Sequence, residues 1–187
     1  MNLILKKVKL SENVHCYTFL APEIVKKAKP GQFVIMRVED GGERIPFTVC
    51  AKDAATGGLS ILIQTVGAET RKLSYLNEGD FIAGLVGPLG KPTDLGNPKR
   101  VLLISGGIGA SVLYHQSTAL KADGIPTDLI AGARNKDLII FENEFRENCD
   151  KAYIMTDDGS GGQKGLVTDK LRELLENGEN YDVVFAV

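Results

Sequence analysis

The chain has 187 residues, 43% of them apolar and 25% charged, with a formal net charge of −2. That composition excludes a disordered or collagen-like chain, and the scattered Lys and Arg lack the basic footprint of a nucleic-acid binder. No apolar run approaches the roughly 20 residues of a membrane-spanning helix, and the opening MNLILKKVKL alternates apolar and basic residues without the apolar stretch of a signal peptide.

Residues 1–97 read as all-β. The runs ILKKVKL, VHCYTFL, QFVIMRV, FTVCA, LSILIQTV and DFIAGLV are short and rich in β-branched and aromatic residues. Turn signals separate them, among them Lys29-Pro30-Gly31, Asp40-Gly41-Gly42, Thr56-Gly57-Gly58 and Asn77-Glu78-Gly79-Asp80. Six such strands predict an antiparallel six-stranded Greek-key β-barrel, because closure removes the edges that an open sheet exposes. One short helix is expected over residues 70–76, capped by Thr70. Gly96-Asn97-Pro98 is the expected boundary, which divides the chain into domains 1–97 and 98–187.

From Lys99 onward strands and helices alternate. VLLISG reads as a parallel strand buried on both faces. A helix-length segment follows, from Gly106 to Gly124. Then come TDLIAGA as strand, KDLIIFENEFREN as helix, KAYIMTDD as strand, VTDKLRELLENG as helix and YDVVFAV as strand. In the last helix Leu171, Leu174 and Leu175 share one face at helical spacing. This order predicts a parallel α/β sheet. A parallel strand normally continues into a loop and a helix, so Val183–Val187 reads as the end of a fragment and the α/β domain as incomplete, with a natural terminal strand as the alternative.

Five segments could carry chemistry. Ser105-Gly106-Gly107-Ile108-Gly109-Ala110 leaves a parallel strand and opens a helix, where glycines admit a phosphate and the helix N-terminus favours it; a tight strand-to-helix turn is the plainer alternative. Thr156-Asp157-Asp158-Gly159-Ser160-Gly161-Gly162 follows the third parallel strand, on the same sheet edge. A carboxylate there can accept from ribose hydroxyls and repel a 2′-phosphate; a polar turn is the alternative, and Arg134 and Lys136 argue the other way on cofactor choice. Arg44-Ile45-Pro46-Phe47-Thr48 offers a guanidinium for a pyrophosphate, a ring for a flat heterocycle and a hydroxyl for a ring nitrogen; an edge-strand proline with an inward Phe is the alternative. Gln64-Thr65-Val66-Gly67-Ala68-Glu69-Thr70 enters the short helix and is either an anion cradle or a simple N-cap. Gly87-Pro88-Leu89-Gly90 is a rigid turn or a connecting loop. No Ser-His-Asp set or nucleophile elbow is present, so a cofactor is expected to carry any catalysis. Cys16, Cys50 and Cys149 lie far apart without zinc spacing and are expected as free thiols in a reducing cytoplasm; His15 and His115 are too few and too separated for a metal site.

In this order, RIPFT, VGAET, GPLG, GGIG, GARNKDLI, TDDGSGGQKGLVTD and YDVVFAV resemble the ferredoxin–NADP reductase superfamily over essentially the whole chain. The branch they most resemble is that of electron-transfer subunits related to dihydroorotate dehydrogenase, NADH-dependent ferredoxin:NADP oxidoreductase and sulfide dehydrogenase. The resemblance implies FAD on the barrel and a pyridine dinucleotide on the parallel sheet, with hydride transfer between them and electrons passed onward. It implies that Pro46, Phe47 and Thr48 line the flavin ring, with Thr48 the residue beside the reactive nitrogen. Gln64, Val66, Gly67 and Thr70 are implied at the FAD pyrophosphate, and Gly87, Pro88, Leu89 and Gly90 at the flavin and the interdomain cleft. Gly106, Gly107 and Gly109 are implied at the dinucleotide, with Asp157 and Asp158 at its ribose, which favours NAD(H) over NADP(H).

Three departures qualify the resemblance. The family's flavin motif puts Arg where Ile45 stands, and Arg44 is one residue early. Ala110-Ser111-Val112 replaces a pattern with proline after the glycine-rich turn. The family also continues past the strand at Tyr181–Val187, into a Gly-Pro turn and a cysteine-rich segment that holds a two-iron, two-sulfur cluster. That cluster is therefore expected only in a longer parent, and no metal-ligating residue is assigned in this chain. The expected partner is a larger catalytic oxidoreductase subunit, with ferredoxin as a further candidate. A self-sufficient NAD(P)H:acceptor reductase and a non-catalytic binding module are the rival readings.

Overall fold

Along the first strands the apolar side chains that recur at every second position turn to one side, as a barrel interior requires. The computed structural model describes residues 1–187, which divide into two compact units, Met1–Thr93 and Asp94–Val187. The expected boundary at 97/98 lies inside the second unit, four residues past the division at 93/94.

The first unit comprises β1 (Asn2–Lys9), β2 (Val14–Leu20), α1 (Pro22–Val25), β3 (Phe33–Arg37), β4 (Ile45–Asp53), β5 (Gly58–Gln64), α2 (Ala68–Tyr75), β6 (Phe81–Ile82) and β7 (Gly84–Leu89). Every pairing is antiparallel, in the order β6-β1-β2-β5-β4-β3-β7. The sixth expected run is bent at Ala83, so it counts as two segments: β6 pairs with β1 and β7 with β3. That bend brings the two ends of the sheet together, in Greek-key order. Tyr17, Phe19, Val34, Met36, Ile61 and Ile63 fill the interior.

Helix α2 starts two residues before its expected position, and its N-cap is Gly67 rather than Thr70. Two contacts fasten it to the barrel. The Tyr17 hydroxyl donates to the Leu73 carbonyl at 3.0 Å. Lys7 Nζ donates to the carbonyls of Ser74 at 2.6 Å and Leu76 at 2.8 Å, closing the helix C-terminus with a cation.

The second unit comprises β8 (Val101–Gly106), α3 (Ala110–Ala122), β9 (Thr127–Ala133), α4 (Glu142–Asn148), β10 (Lys151–Thr156), β11 (Gln163–Lys164), α5 (Val167–Glu176) and β12 (Val183–Ala186). The sheet is wholly parallel, in the order β11-β10-β9-β8-β12. The interior strand β8 is buried from Val101 to Ser105, as its continuous apolar run requires. No helix is long and apolar enough to cross a membrane.

Three local expectations are corrected, and one short strand is added. The segment after β8 begins as a 3-10 turn at Gly107–Gly109, and α3 starts only at Ala110. The expected helix at 136–148 is broken into a 3-10 turn at Lys136–Leu138 and α4. Between them Phe141 adopts a left-handed conformation with φ 60°, held by ring packing on Tyr114 at 4.7 Å and Phe145 at 6.4 Å. In α5 Leu174 is buried but Leu175 is turned outward, 53% exposed, because α5 contacts the sheet only along a narrow stripe. Strand β11 is too short to leave a periodic signal.

At the amino ends of β8, β9 and β10 lies a polar cluster. Buried Asp128 accepts from Arg100 at 2.7 Å and from the Tyr181 hydroxyl at 2.8 Å. Glu179 joins Arg100 at 2.6 Å and Lys151 at 3.0 Å. Arg100 also lies over the Tyr181 ring, 4.6 Å from its centroid.

Candidate functional site

On the barrel the expected residues come together through a strand that no motif contained. β3 lies between β4 and β7. In register, Thr48 faces Phe33, which faces Leu89, while Pro46 faces Ile35, which faces Val86. Register partners share a face. Pro46 and Val86 are exposed, and Phe33, Ile35, Thr48 and Leu89 are half-buried, so the three strands present an apolar platform with one hydroxyl on it. Pro46 is tolerated because β4 pairs only with β3 over residues 45–48 and reaches β5 only from Val49. Phe47, expected beside Pro46 and Thr48, lies opposite Val34 and packs against the barrel core. Arg44 is exposed and makes no ion pair.

The glycines in these segments have different causes. A Cβ on Gly87 would lie 2.6 Å from Val34 Cγ1, and one on Gly90 would lie 2.9 Å from Phe33 Cε1. Packing therefore demands both. A Cβ on Gly67 would meet nothing nearer than Thr70 Oγ1 at 4.0 Å, and its φ of −112° suits any residue. The fold does not require glycine there, which leaves open space at the head of α2. The Thr70 hydroxyl shapes that head: it accepts from the amides of Val66 at 3.0 Å and Gly67 at 2.9 Å and donates to the Gly67 carbonyl at 3.1 Å. It is thus occupied internally. The first-turn amides of α2, which have no intrahelical acceptor, are the groups left for an anion. Gln64, half-buried, ends β5, and Val66 is exposed beside Gly67.

On the second unit the expected segments follow β8, β9 and β10, so they lie along the carboxyl edge of one parallel sheet. A Cβ on Gly106 or Gly107 would meet nothing within 4 Å, and Gly107 has a φ of +54°. Gly109 differs: a Cβ there would lie 2.7 Å from the Val187 carbonyl oxygen. The Gly106 amide donates to that same oxygen at 3.1 Å. Gly106 and Gly107 therefore provide open space, and Gly109 provides close packing.

The loop after β10 is tied internally. Thr156 Oγ1 donates to the Gly161 carbonyl at 2.7 Å and accepts from its amide at 3.1 Å. Asp158 accepts from the Ser160 amide at 2.9 Å, and hydrogen bonding to Ser160 holds its carboxyl below the usual carboxylate range. The Lys136 amide donates to Ser160 Oγ at 2.9 Å, stitching this loop to the one after β9. Asp157, Arg134 and the Lys136 side chain are exposed and unpaired. Of the expected acidic pair, Asp157 is free for a ligand and Asp158 serves the turn.

None of the three cysteines is in a disulfide. Burial pushes Cys149 up to about 12, and the Cys50 thiol is raised by its contact with Cys16 and by burial. No group of three or more His, Cys, Asp or Glu is placed to hold a metal ion. Motif reading missed Phe33, Ile35 and Val86. Their signal lay in pairing, since β3 is an ordinary apolar strand until β4 and β7 flank it.

No family model matches the chain. A relative from Thermotoga maritima, described as a dihydroorotate dehydrogenase B (NAD(+)) electron transfer subunit homolog, is 42% identical over 187 residues, covering 100% of this chain and 66% of that one. The dihydroorotate dehydrogenase B electron transfer subunit of Fusobacterium nucleatum is 34% identical over 164 residues, covering 84% of this chain and 62% of that one. The chain thus spans about two thirds of the length of these relatives or slightly less. A solved structure of the NADH-dependent reduced ferredoxin–NADP oxidoreductase matches with a TM-score of 0.90 at 41% identity, covering 100% of this chain and 67% of that one. Phthalate dioxygenase reductase shares the fold, with a TM-score of 0.66 at 16% identity.

Proposed function

The chain belongs to the ferredoxin–NADP reductase superfamily, and from that premise we propose that it is the flavin-bearing electron-transfer part of a larger oxidoreductase, with FAD on Met1–Thr93 and NAD(H) on Asp94–Val187. The observation that carries this reading is Gly67, a glycine that the fold does not need, beside free amides at the head of α2. A pyrophosphate suits that space, with the unpaired Arg44 guanidinium as counter-charge.

In this reading the platform of Phe33, Ile35, Pro46 and Leu89 seats the flavin ring, and Thr48 offers its hydroxyl to a ring nitrogen. Bound FAD supplies hydride acceptance from nicotinamide and onward delivery of electrons. Gly106 and Gly107 admit the dinucleotide phosphates, and Asp157 accepts from a ribose hydroxyl. Its free carboxylate repels a 2′-phosphate, which favours NAD(H), while Arg134 and Lys136 act in the opposite sense. A two-iron, two-sulfur cluster needs four thiolates in its usual form. With three cysteines this chain does not fit that group, so none of its residues is assigned to it. The partner that receives electrons is a larger catalytic subunit, with ferredoxin as the alternative, in the cytoplasm, where free thiols persist.

Anaerobic mixing of the FAD-loaded chain with NADH tests this directly. Bleaching of the flavin's visible absorption, faster with NADH than with NADPH, is the expected result. A loaded flavin that neither nucleotide reduces would reject the electron-transfer role.

A further inference from the structure

One buried polar residue of the barrel joins the segments of the platform, through its side chain and its main-chain carbonyl, and belongs to none of the expected motifs. Gln32 is 8% exposed and immediately precedes β3. Its Oε1 accepts from the Lys29 amide at 3.0 Å, and its Nε2 donates to the Gly90 carbonyl at 2.9 Å. Its own carbonyl accepts from the Val49 amide at 3.0 Å, one residue beyond Thr48. The turn at Lys29-Pro30-Gly31 and the segment after Gly90 are also fastened to each other, because the Thr93 amide donates to the Pro30 carbonyl at 2.9 Å. Gly31 is where the two segments touch: a Cβ there would collide with Thr93 Oγ1.

Few side chains could replace this one. The contact needs an acceptor and a donor on one planar group at the reach of two methylenes. Glu keeps the acceptor and loses the donor, Met loses both at similar length, and Asn is one methylene short.

We propose that Gln32 is a positioning residue for the flavin ring: it aims the Gly90 carbonyl away from the platform and fixes the separation between Thr48 and the Gly87–Gly90 turn. The proposal rests on the reading of the platform as the flavin seat. Thr48, Phe33 and Leu89 form one cross-strand row, so the ends of that row are set by what holds β4 and β7 to β3. At the Phe33 end that holder is Gln32, through its carbonyl to β4 and its carboxamide to the segment that follows β7. Loss of the carboxamide frees the Gly90 turn but leaves the β3–β4 ladder in place.

The test uses the full chain with Gln32→Met and Gln32→Glu. Three quantities are measured: the unfolding midpoint without cofactor, the FAD dissociation constant by fluorescence titration, and the visible circular dichroism and midpoint potential of the flavin at saturating FAD. The expected result is FAD binding weakened by about tenfold, the scale of one net hydrogen bond, with an altered flavin dichroism and a shifted potential in both variants. Should Gln32→Met fail to fold, Gln32→Glu carries the test, because it retains the acceptor for Lys29. A lower unfolding midpoint with unchanged affinity, dichroism and potential would overturn the proposal while leaving the platform reading intact. A parent chain that takes up no FAD would overturn both.

Discussion

On the barrel unit the candidate site is a surface of three strands held in register, whereas on the α/β unit it is a row of loops that follow β8, β9 and β10. The first arrangement fixes its side chains through ladder hydrogen bonds, and glycines there mainly allow strands to pack: Gly87 on Val34 and Gly90 on Phe33. The second leaves backbone open, with Gly106 and Gly107 facing space. The charge also differs. The barrel unit has twelve Lys and Arg against nine Asp and Glu, and the α/β unit ten against fifteen. The net field of the second unit therefore opposes an anionic ligand, so phosphate binding as proposed there would have to come from local amides rather than from overall charge. A rigid seat suits a resident ring system, and an open edge suits a dinucleotide that comes and goes.

The largest expected effect lies at the end of the α/β sheet away from its loops. Asp128→Ala removes a buried carboxylate that accepts from both Arg100 and Tyr181, leaving Arg100 with Glu179 alone, and should cost about 3 kcal/mol in urea unfolding. Asp157→Ala, at the loop edge, should change stability by less than about 0.5 kcal/mol and shift the preference between NADH and NADPH. Equal stability losses in the two would contradict the division between a structural and a binding edge.

The glycines sharpen the same comparison. Gly109→Ala places a methyl against the Val187 carbonyl and should cost about 2 kcal/mol. Gly106→Ala meets nothing and should leave the unfolding midpoint in place while weakening NADH binding, as isothermal titration would show. On the barrel, Thr70→Ala removes the hydroxyl that shapes the head of α2. A loss of about 1 kcal/mol is expected, with weaker FAD retention, and Thr70→Ser should restore both.

The last effect, silent at neutral pH, is a pH dependence. Burial raises Tyr17 from 10.0 to about 12, so the folded state keeps its proton where the unfolded chain has lost it. This contribution is fully present below pH 10 and is lost as pH rises toward 12. Tyr17→Phe should flatten that part of the alkaline limb. The part that begins near pH 9 should persist, because Cys149 is raised from 9.0 to about 12. An unchanged slope between pH 10 and 12 in a folded Tyr17→Phe chain would reject the assignment.

Legibility from the chain follows the same divide. The α/β edge was readable because loops after successive parallel strands must share one edge, so GGIG and TDDGSGG were placed together by strand order alone. The barrel site was readable only in pieces. RIPFT and GPLG are adjacent through β3, and no local pattern in QFVIM announces that. Phe47 turns inward, the alternative given for that segment, since strand alternation sets it on the face opposite Pro46 and Thr48. The helix expected at 136–148 failed for a tertiary reason, since the Tyr114–Phe141–Phe145 packing holds Phe141 in a left-handed conformation that helical periodicity cannot anticipate. Leu175 misled because its spacing fits a helix face wider than the stripe that α5 buries.

The head of α2 on the barrel is proposed to hold the FAD pyrophosphate, and one substitution separates this from a structural role. Gly67→Asp introduces a favourable N-cap residue where the backbone accepts any side chain, yet it puts a carboxylate where the pyrophosphate would lie. Both chains would be loaded with FAD, freed of excess and compared by visible absorption and by urea unfolding without cofactor. Stoichiometric flavin is expected on the parent chain, and little or none on an equally stable Gly67→Asp chain. Equal flavin retention by the two chains, or none by the parent, would contradict it.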